Sequence, residues 1–280
     1  MKASLAMAVR VSQKYVIGIV GGLGPRAHID LEQKLLEAAR SRVGASSDQE
    51  FPEWLLSSVP ATPDRSQALA GEGPDPFEHL VESLRRISGS GGIRGADFAI
   101  IACNTAHHYL RRLRSVAAIP IADMVEETAA AVAVNIGRCR VGVLATTGTL
   151  RSGLYHRALG QRGLEAVSLL DLEGGEALQR NLIMRAIYGD STCGDKEEHR
   201  EGCGLKEIGA NSWSQGLVEA AVESLRRDAG IGLLILACSE LALAMPSPTS
   251  TGGLQLIDPA RVLADVAVDV AYGFRDLGAL

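Results

Sequence analysis

Two apolar runs in this chain each end in a cysteine. In Ala96–His107, ADFAIIACNTAH, the run Phe98 to Ala102 reads as a buried strand, and Cys103 sits where it gives way to a predicted helix carrying Asn104, Thr105 and His107. In Ile231–Leu241, IGLLILACSEL, the strand Leu233 to Ala237 ends in Cys238 and turns into Ser239, Glu240 and Leu241. If two such thiols meet across a cleft, one can take a proton from a carbon while the other delivers one to the opposite face. A stereocentre then inverts through a planar carbanion. A helix N-terminus after each cysteine would lower its thiol pKa from the free value of about 8.5 toward neutrality. A lone free cysteine usually behaves as a small buried hydrophobe. The repeated setting favours function for Cys103 and Cys238, whereas Cys139 has no such setting and reads as structural.

The elements around the thiols repeat too. Asp123 in IPIAD follows Cys103 by twenty residues, and Asp258 in LQLID follows Cys238 by twenty. VIGIVGGLGP (Val16 to Pro25) precedes the first cysteine and VGVLATTGT (Val141 to Thr149) the second, apolar strands of which the first ends in glycines and the second in threonines and a glycine. Strands and helices alternate throughout, which predicts parallel sheets covered by helices. The expected architecture is α/β, with two similar lobes related by pseudo-two-fold symmetry, each a parallel sheet flanked by helices. The active site lies between them, at the carboxyl ends of the strands. Residues 1–123 with 259–280 form the first lobe and 124–258 the second, the terminal helix from Pro259 returning to complete the first. The predicted elements include a helix over Arg26–Arg42, strands at Glu53–Val59, Ala166–Leu170 and Ile119–Ala122, and helices after Cys103 to Arg114 and over Gly175–Ile187.

A chain of 280 residues can bury one large core or two modest ones. Its formal net charge of -5, without a Lys/Arg-rich block, argues against nucleic acid or an anionic membrane as partner and leaves a small molecule. No apolar run approaches the ~20 residues a transmembrane helix needs. Five cysteines, at 103, 139, 193, 203 and 238, do not resemble a disulfide framework, and a reducing, cytoplasmic location fits them. Residues 1–14 carry three basic side chains and no acid, a faint likeness to an organelle presequence; an extension before the first strand is the preferred reading.

Three further stretches bear on a site. Gly21–Pro25, GGLGP, lacks the GxGxxG spacing of a dinucleotide fingerprint; it serves either to let backbone amides approach a small anion or simply as a tight turn. Asp64 and Arg65 lie beyond the second strand in a loop, where an arginine can point into a cleft or into solvent. Tyr188–Trp213 is polar and glycine-rich, and its Cys193, His199 and Cys203 match no familiar zinc pattern, so it reads as a flexible insertion and not as a metal site.

Taken in order, IGIVGGLGP, the PDR of Pro63–Arg65, ADFAIIACNTAHHYL, VEET at Val125–Thr128, GVLATTGTLRSGLY and ACSEL resemble the aspartate/glutamate racemase family, specifically its cofactor-independent aspartate racemase branch. The resemblance covers nearly the whole chain. It implies an isomerase, usually a homodimer, that needs no pyridoxal phosphate and exchanges the α-proton of aspartate or glutamate between two cysteines. Carried over, Cys103 and Cys238 are the catalytic acid/base pair. Asn104 and Thr105 match the α-carboxylate site, Thr146, Thr147 and Thr149 its second-lobe counterpart, and Arg65 the arginine that pairs with a substrate carboxylate through a planar fork. Where the family has GCTE, this chain has Ala237, Cys238, Ser239 and Glu240, and Ser239 keeps the hydroxyl. Relatives resemble AIYGxxGIKAG, with a lysine that meets the substrate's side-chain carboxylate. Here fifteen residues separate Gly189 from Leu205, and Lys206 aligns with that lysine. The competing readings are a related decarboxylase or isomerase of another small diacid, and a carboxylate-binding protein without turnover.

Overall fold

The computed structural model describes residues 12–89, 92–135, 140–190, 202–245 and 254–280. The first part of the chain forms β1 (Ile17–Gly21), α1 (Pro25–Val43), β2 (Trp54–Ser58), α2 (Arg65–Ala70), α3 (Phe77–Ile87), β3 (Phe98–Ile101), α4 (Leu110–Arg114) and α5 (Met124–Asn135). The second forms β4 (Arg140–Leu144), α6 (Thr147–Ser152), α7 (Leu154–Gly160), β5 (Glu165–Val167), α8 (Gly175–Leu178), α9 (Arg185–Tyr188), α10 (Leu205–Ile208) and α11 (Ser212–Ala229). It ends with β6 (Leu233–Leu236), α12 (Ser239–Ala244), β7 (Gln255–Ile257) and α13 (Pro259–Ala271).

Two parallel sheets result, in the orders β2-β1-β3 and β5-β4-β6-β7. Ile121 adds a single parallel bridge to Ala99 beside β3. Counted within each half, the order is the same: second, first, third, fourth. Each cysteine therefore follows the third strand of its sheet, next to the strand that opens the half. β1, β3 and β6 are buried along their whole length, as continuous apolar runs covered on both faces must be. A strand glycine serves each half alike. A Cβ on Gly18 would lie 2.7 Å from Ile87, and one on Gly142 would lie 2.6 Å from Ile231. Without side chains there, a neighbouring residue can press directly on the central strand.

α1 begins with Pro25 and ends at Gly44, whose left-handed φ of 71° no β-branched residue would tolerate. Its buried Leu31 and Leu35 share a core with Ile17, Phe98, Leu263 and Ala267, so α13 packs on the first sheet although it follows β7 of the second. The Arg42–Asp269 and Lys34–Asp258 pairs hold that return. α5 spans both cores: Met124 sits with the first, while Val125, Ala129 and Val132 pack on β4. Among the described residues, no helix is long and apolar enough to cross a membrane.

Several local expectations are corrected. The strand expected at Ile119–Ala122 shrinks to the Ile121 bridge, because Pro120 has no N–H to add to a ladder. The helix after Cys103 is a 3-10 turn over Thr105–Tyr109 before α4 begins. The strand expected to Leu170 stops at Val167, where Ser168 and Asp171 cap a 3-10 turn. The predicted helix Gly175–Ile187 contains a π-helical stretch, Gln179–Met184, between α8 and α9. Asp64 and Arg65 are not a free loop but the N-cap and first residue of α2, and Asp64 accepts from the amides of Ser66 and Gln67. Part of the expected insertion is helical, since α10 and the start of α11 lie within it. The reading of unpaired cysteines fails at Cys203, which is disulfide-bonded; pairing depends on what the fold brings within reach, and spacing does not reveal it. Residues 1–11, Cys139, Cys193, His199 and the loop over 246–253 lie outside the described residues.

Candidate active site

Cys103 and Cys238 are free, buried, and line one pocket between the two sheets' carboxyl ends. Arg65, Asn104, Thr105, Thr146, Lys206 and Ser239 line it with them. Asp64, Ser66, Tyr188, Glu240 and Leu23 complete the wall. The space left among these side chains is about 10 Å³, the measure of roughly one water. A second cavity of about 770 Å³ adjoins it and shares Asp64, Ser66 and Tyr188.

The first thiol is fixed from behind by His107. The Met124 amide donates to His107 Nε2 at 3.2 Å, which leaves the ring proton on Nδ1 to donate to the Cys103 carbonyl, 2.9 Å away. His107 therefore ties the Cys103 turn to the start of α5. Burial pushes its pKa down, so the neutral ring these bonds require is the folded state's form. The unfolded chain takes up a proton near its ordinary pKa of about 6.5 and the folded chain does not, so stability is lost as pH falls below that value. In His107→Gln, melting temperature is expected to fall at pH 7.5 and to change less between pH 7.5 and 5.5 than in the wild type. An unchanged acid dependence in thermal melts would assign the acid sensitivity to other groups.

Asn104 Oδ1 accepts from the Tyr155 hydroxyl, whereas its Nδ2 is buried without a partner. Arg65 is buried as well. It donates to the carbonyls of Pro63 at 3.0 Å, Thr62 at 3.4 Å and, in a short bond, Leu23, while its Nε has no partner. Burial disfavours the guanidinium charge, but attraction from Cys103 and Asp64 outweighs it and raises the Arg65 pKa. Two buried donors without acceptors, both in the lining of one pocket, are what a bound carboxylate would satisfy.

The threonines divide. Thr105, Thr146 and Thr149 form a hydroxyl triangle across the lobes, with contacts of 2.8, 3.1 and 3.2 Å. Thr146 lines the pocket and Thr149 stands behind it. Thr147 turns away: its amide donates to Met184 Sδ at 3.2 Å, and it lines the larger cavity. Gly148 makes this approach of α6 to α2 possible, since a Cβ there would lie 2.9 Å from Ser66 Cα.

Lys206 reaches the pocket because the ends of the insertion meet. The Asp190 amide donates to Gly202 O at 2.8 Å, and a Cβ on Gly204 would fall 2.4 Å from the Gly189 nitrogen. α10 thus starts beside α9 whatever the length between them. Lys206 Nζ lies 3.2 Å from both Asp64 Oδ2 and the Tyr188 hydroxyl, and that hydroxyl is 3.1 Å from Asp64 Oδ2. Burial works against the ammonium, yet Tyr188, Glu240 and Asp64 hold its pKa above the ordinary lysine value. Burial opposes the Asp64 charge as well, but Lys206 and the Gln67 amide bring its pKa below normal. Burial pushes Tyr188 up to about 12, so it is a neutral phenol at physiological pH.

At the second thiol the expected activation is reversed. α12 has six residues, too short for a strong dipole, and Cys238 Sγ donates to Glu240 Oε2 at 3.1 Å. Burial first and the Glu240 carboxylate second raise the Cys238 pKa well above that of a free thiol. Sequence reasoning assigned no role to Asp64, Tyr188 or Glu240. The available signals were a carboxylate two residues past a candidate thiol and another beside the candidate arginine. Among the described residues, no group of three or more His, Cys, Asp and Glu side chains is placed to hold a metal ion.

Residues 20–267 match the family described as Asp/Glu/Hydantoin racemase. The broad specificity amino-acid racemase RacX of Bacillus subtilis is 27% identical over 156 residues, 54% of this chain and 63% of that protein. A glutamate racemase of Corynebacterium kroppenstedtii is 28% identical over 191 residues, 68% of this chain and 56% of that protein. The chain thus spans less than two thirds of each of these relatives. Picrophilus torridus aspartate racemase has a similar fold, with a TM-score of 0.69 and 22% identity, covering 92% of this chain and 94% of that one. The Francisella tularensis glutamate racemase solved in complex with D-glutamate gives a TM-score of 0.58 at 14% identity, covering 94% of this chain and 82% of that one.

Proposed function

The chain belongs to the Asp/Glu/hydantoin racemase family, and from that premise we propose that it is a cofactor-independent racemase of aspartate, working by two-base proton transfer between Cys103 and Cys238. The observation that carries the reading is the pair of free thiols lining one pocket together with the unpartnered donors Asn104 Nδ2 and Arg65 Nε. In this mechanism the substrate α-carboxylate takes those donors and the threonine hydroxyls, which places the α-carbon between the sulfurs. Cys103, as thiolate, removes the α-proton from one face and Cys238 protonates the other; the reverse direction exchanges their roles. Hydrogen bonds to the α-carboxylate strengthen as carbanion charge spreads onto it. Lys206 meets the side-chain carboxylate in competition with Asp64, which favours a diacid short enough to reach both ends.

A space of about 10 Å³ holds no amino acid, so the lobes must part before substrate enters from the larger cavity. Closure then returns the thiols to a site without bulk water, where their electrostatic contacts are strongest. Homodimerisation belongs to the same reading by resemblance, and light scattering would give twice the 29.5 kDa chain mass.

The test is incubation of the purified, reduced protein with L-aspartate in deuterium oxide, without pyridoxal phosphate. The expected result is D-aspartate carrying α-deuterium. Deuterium in recovered L-aspartate alone would mean a single working thiol. Absence of exchange with any acidic amino acid, in folded protein, would refute the proposal.

A further inference from the structure

We propose that Tyr155 is a positioning residue for Asn104: its hydroxyl holds the Asn104 amide with the NH2 group turned into the pocket, and does so only while the two lobes are together. The proposal rests on the racemase reading above for the ligand that meets this NH2 group, an α-carboxylate, and on geometry for the pair itself. Tyr155, on α7, is 1% exposed and packs with Val125, Ala129, Val141 and Leu233 in the core of the second sheet. Asn104 is 2% exposed and follows Cys103 at the end of β3. The tyrosine hydroxyl donates to Asn104 Oδ1, and Nδ2 is left buried without a partner. A side-chain amide has one acceptor end and one donor end, so a donor bound at Oδ1 fixes where the two N–H bonds point. Burial raises the Tyr155 pKa far above that of a free phenol, so the hydroxyl keeps the proton it donates.

The hydroxyl is not needed to fill the core. Counted thirteen residues on from the strand glycines Gly18 and Gly142, Leu31 holds in the first half the place that Tyr155 holds in the second, and Leu31 is fully buried. After the second thiol comes Ser239, which has no amide to orient. The polar pair therefore occurs at one thiol alone, and an aliphatic side chain serves the other half. A buried hydroxyl without a partner is costly, so Tyr155 and Asn104 account for each other. The bond also crosses between the lobes, as do the contacts of Thr105 with Thr146 and Thr149. When the lobes part to admit substrate, Asn104 loses its donor and the amide is free to turn about its last side-chain torsion. Closure brings Tyr155 back and returns the NH2 group to the pocket. The carboxylate site is thus completed by closure, and the open protein does not present it.

The experiment is a double-mutant cycle on the full chain. It measures kcat and KM for L-aspartate in wild type, Tyr155→Phe, Asn104→Ala and the double variant, with thermal melts to show that each is folded. Phenylalanine keeps the ring and removes only the hydroxyl. Tyr155→Phe is expected to lower kcat/KM about 10-fold, as loss of one hydrogen bond to a charged group would, and to lower it less than about 2-fold when Asn104 is already alanine. An equal loss in both backgrounds would mean that the hydroxyl acts elsewhere and would overturn the proposal, as would wild-type kcat/KM in Tyr155→Phe. The unmutated chain supplies a second readout. The NMR signal of the Asn104 side-chain NH2, assigned by its absence from Asn104→Ala, should shift when L-aspartate is added. A signal that stays in place while aspartate binds would put Nδ2 against Tyr155 and Oδ1 in the pocket, the reverse of the proposed amide. The same cycle read as aspartate affinity by calorimetry needs no turnover. A wild type that binds aspartate with the coupling intact yet fails deuterium exchange would therefore sink the racemase reading and leave the Tyr155–Asn104 pair standing.

Discussion

Cys103→Ala and Cys238→Ala will each lower the rate of L- to D-aspartate conversion by at least about 10³-fold, the middle of the range that one acid/base group contributes. In the proposed mechanism the two thiols act on opposite faces of the α-carbon, so neither can replace the other. The variants should nevertheless differ from one another. With Cys238 replaced, Cys103 can still remove and return a proton on its own face, so deuterium enters one enantiomer without inversion. With Cys103 replaced, exchange moves to the other enantiomer and is slower, because Cys238 sits against Glu240 with its pKa raised by burial and by that carboxylate. Alanine is smaller than cysteine by one sulfur, and the cavity costs about 1 kcal/mol, which circular dichroism melts would register without loss of fold. Measurement consists of chiral chromatography with α-deuterium analysis of each recovered enantiomer. Wild-type racemisation by either variant would remove the two-base mechanism, and exchange confined to the same enantiomer in both would remove the opposed geometry.

Arg65→Lys will lower kcat/KM for aspartate by about 100-fold or more while the protein stays folded. Arginine spends one face of its guanidinium on the carbonyls of Leu23, Pro63 and Thr62 and leaves Nε unpartnered, the donor proposed to meet a substrate carboxylate, a division that needs a planar, five-donor group. A lysine ammonium has three donors on a point charge and cannot brace the turn and hold a carboxylate together. Hydrogen bonds to charged groups contribute about 1.5–3 kcal/mol each, and 1.4 kcal/mol is tenfold, so losing one or two gives the stated range. Arg65→Ala should add a stability loss, since it leaves the buried carbonyls without their donor. Steady-state kinetics with thermal melts separates the two effects. Wild-type kcat/KM in Arg65→Lys would reduce Arg65 to a brace for the first-lobe turn.

The thiols, their strands and the repeat were readable because each rests on a local pattern. A continuous apolar run such as Phe98 to Ala102 reads as a covered strand wherever it occurs, and two such runs, each ending in cysteine, mark equivalent places in one unit. The paired sheets with the same strand order bear out that reading of the fold. The motif order also pointed to the family, which the match over residues 20–267 establishes. Lys206 was reachable by alignment across fifteen extra residues, but only contacts between the insertion's ends account for its position.

What sequence could not decide was how charge is shared. Arg65 looked like a loop arginine until Asp64 capped α2 and turned it inward. Thr147 and Thr149 are neighbours of Thr146 in the chain, yet one faces another cavity and the other supports from behind, because a helix sends successive residues in different directions. The unequal environments of Cys103 and Cys238 arise from side chains on α2, α10 and α12 that converge only in the packed fold. The chain by itself determined that a cysteine ends each of two buried strands and which strands carry them, since periodicity and residue type are local. Tertiary structure alone decided that Arg65 lies beside one thiol and Glu240 beside the other, because electrostatic energy depends on distance and burial, and both are properties of the packed fold.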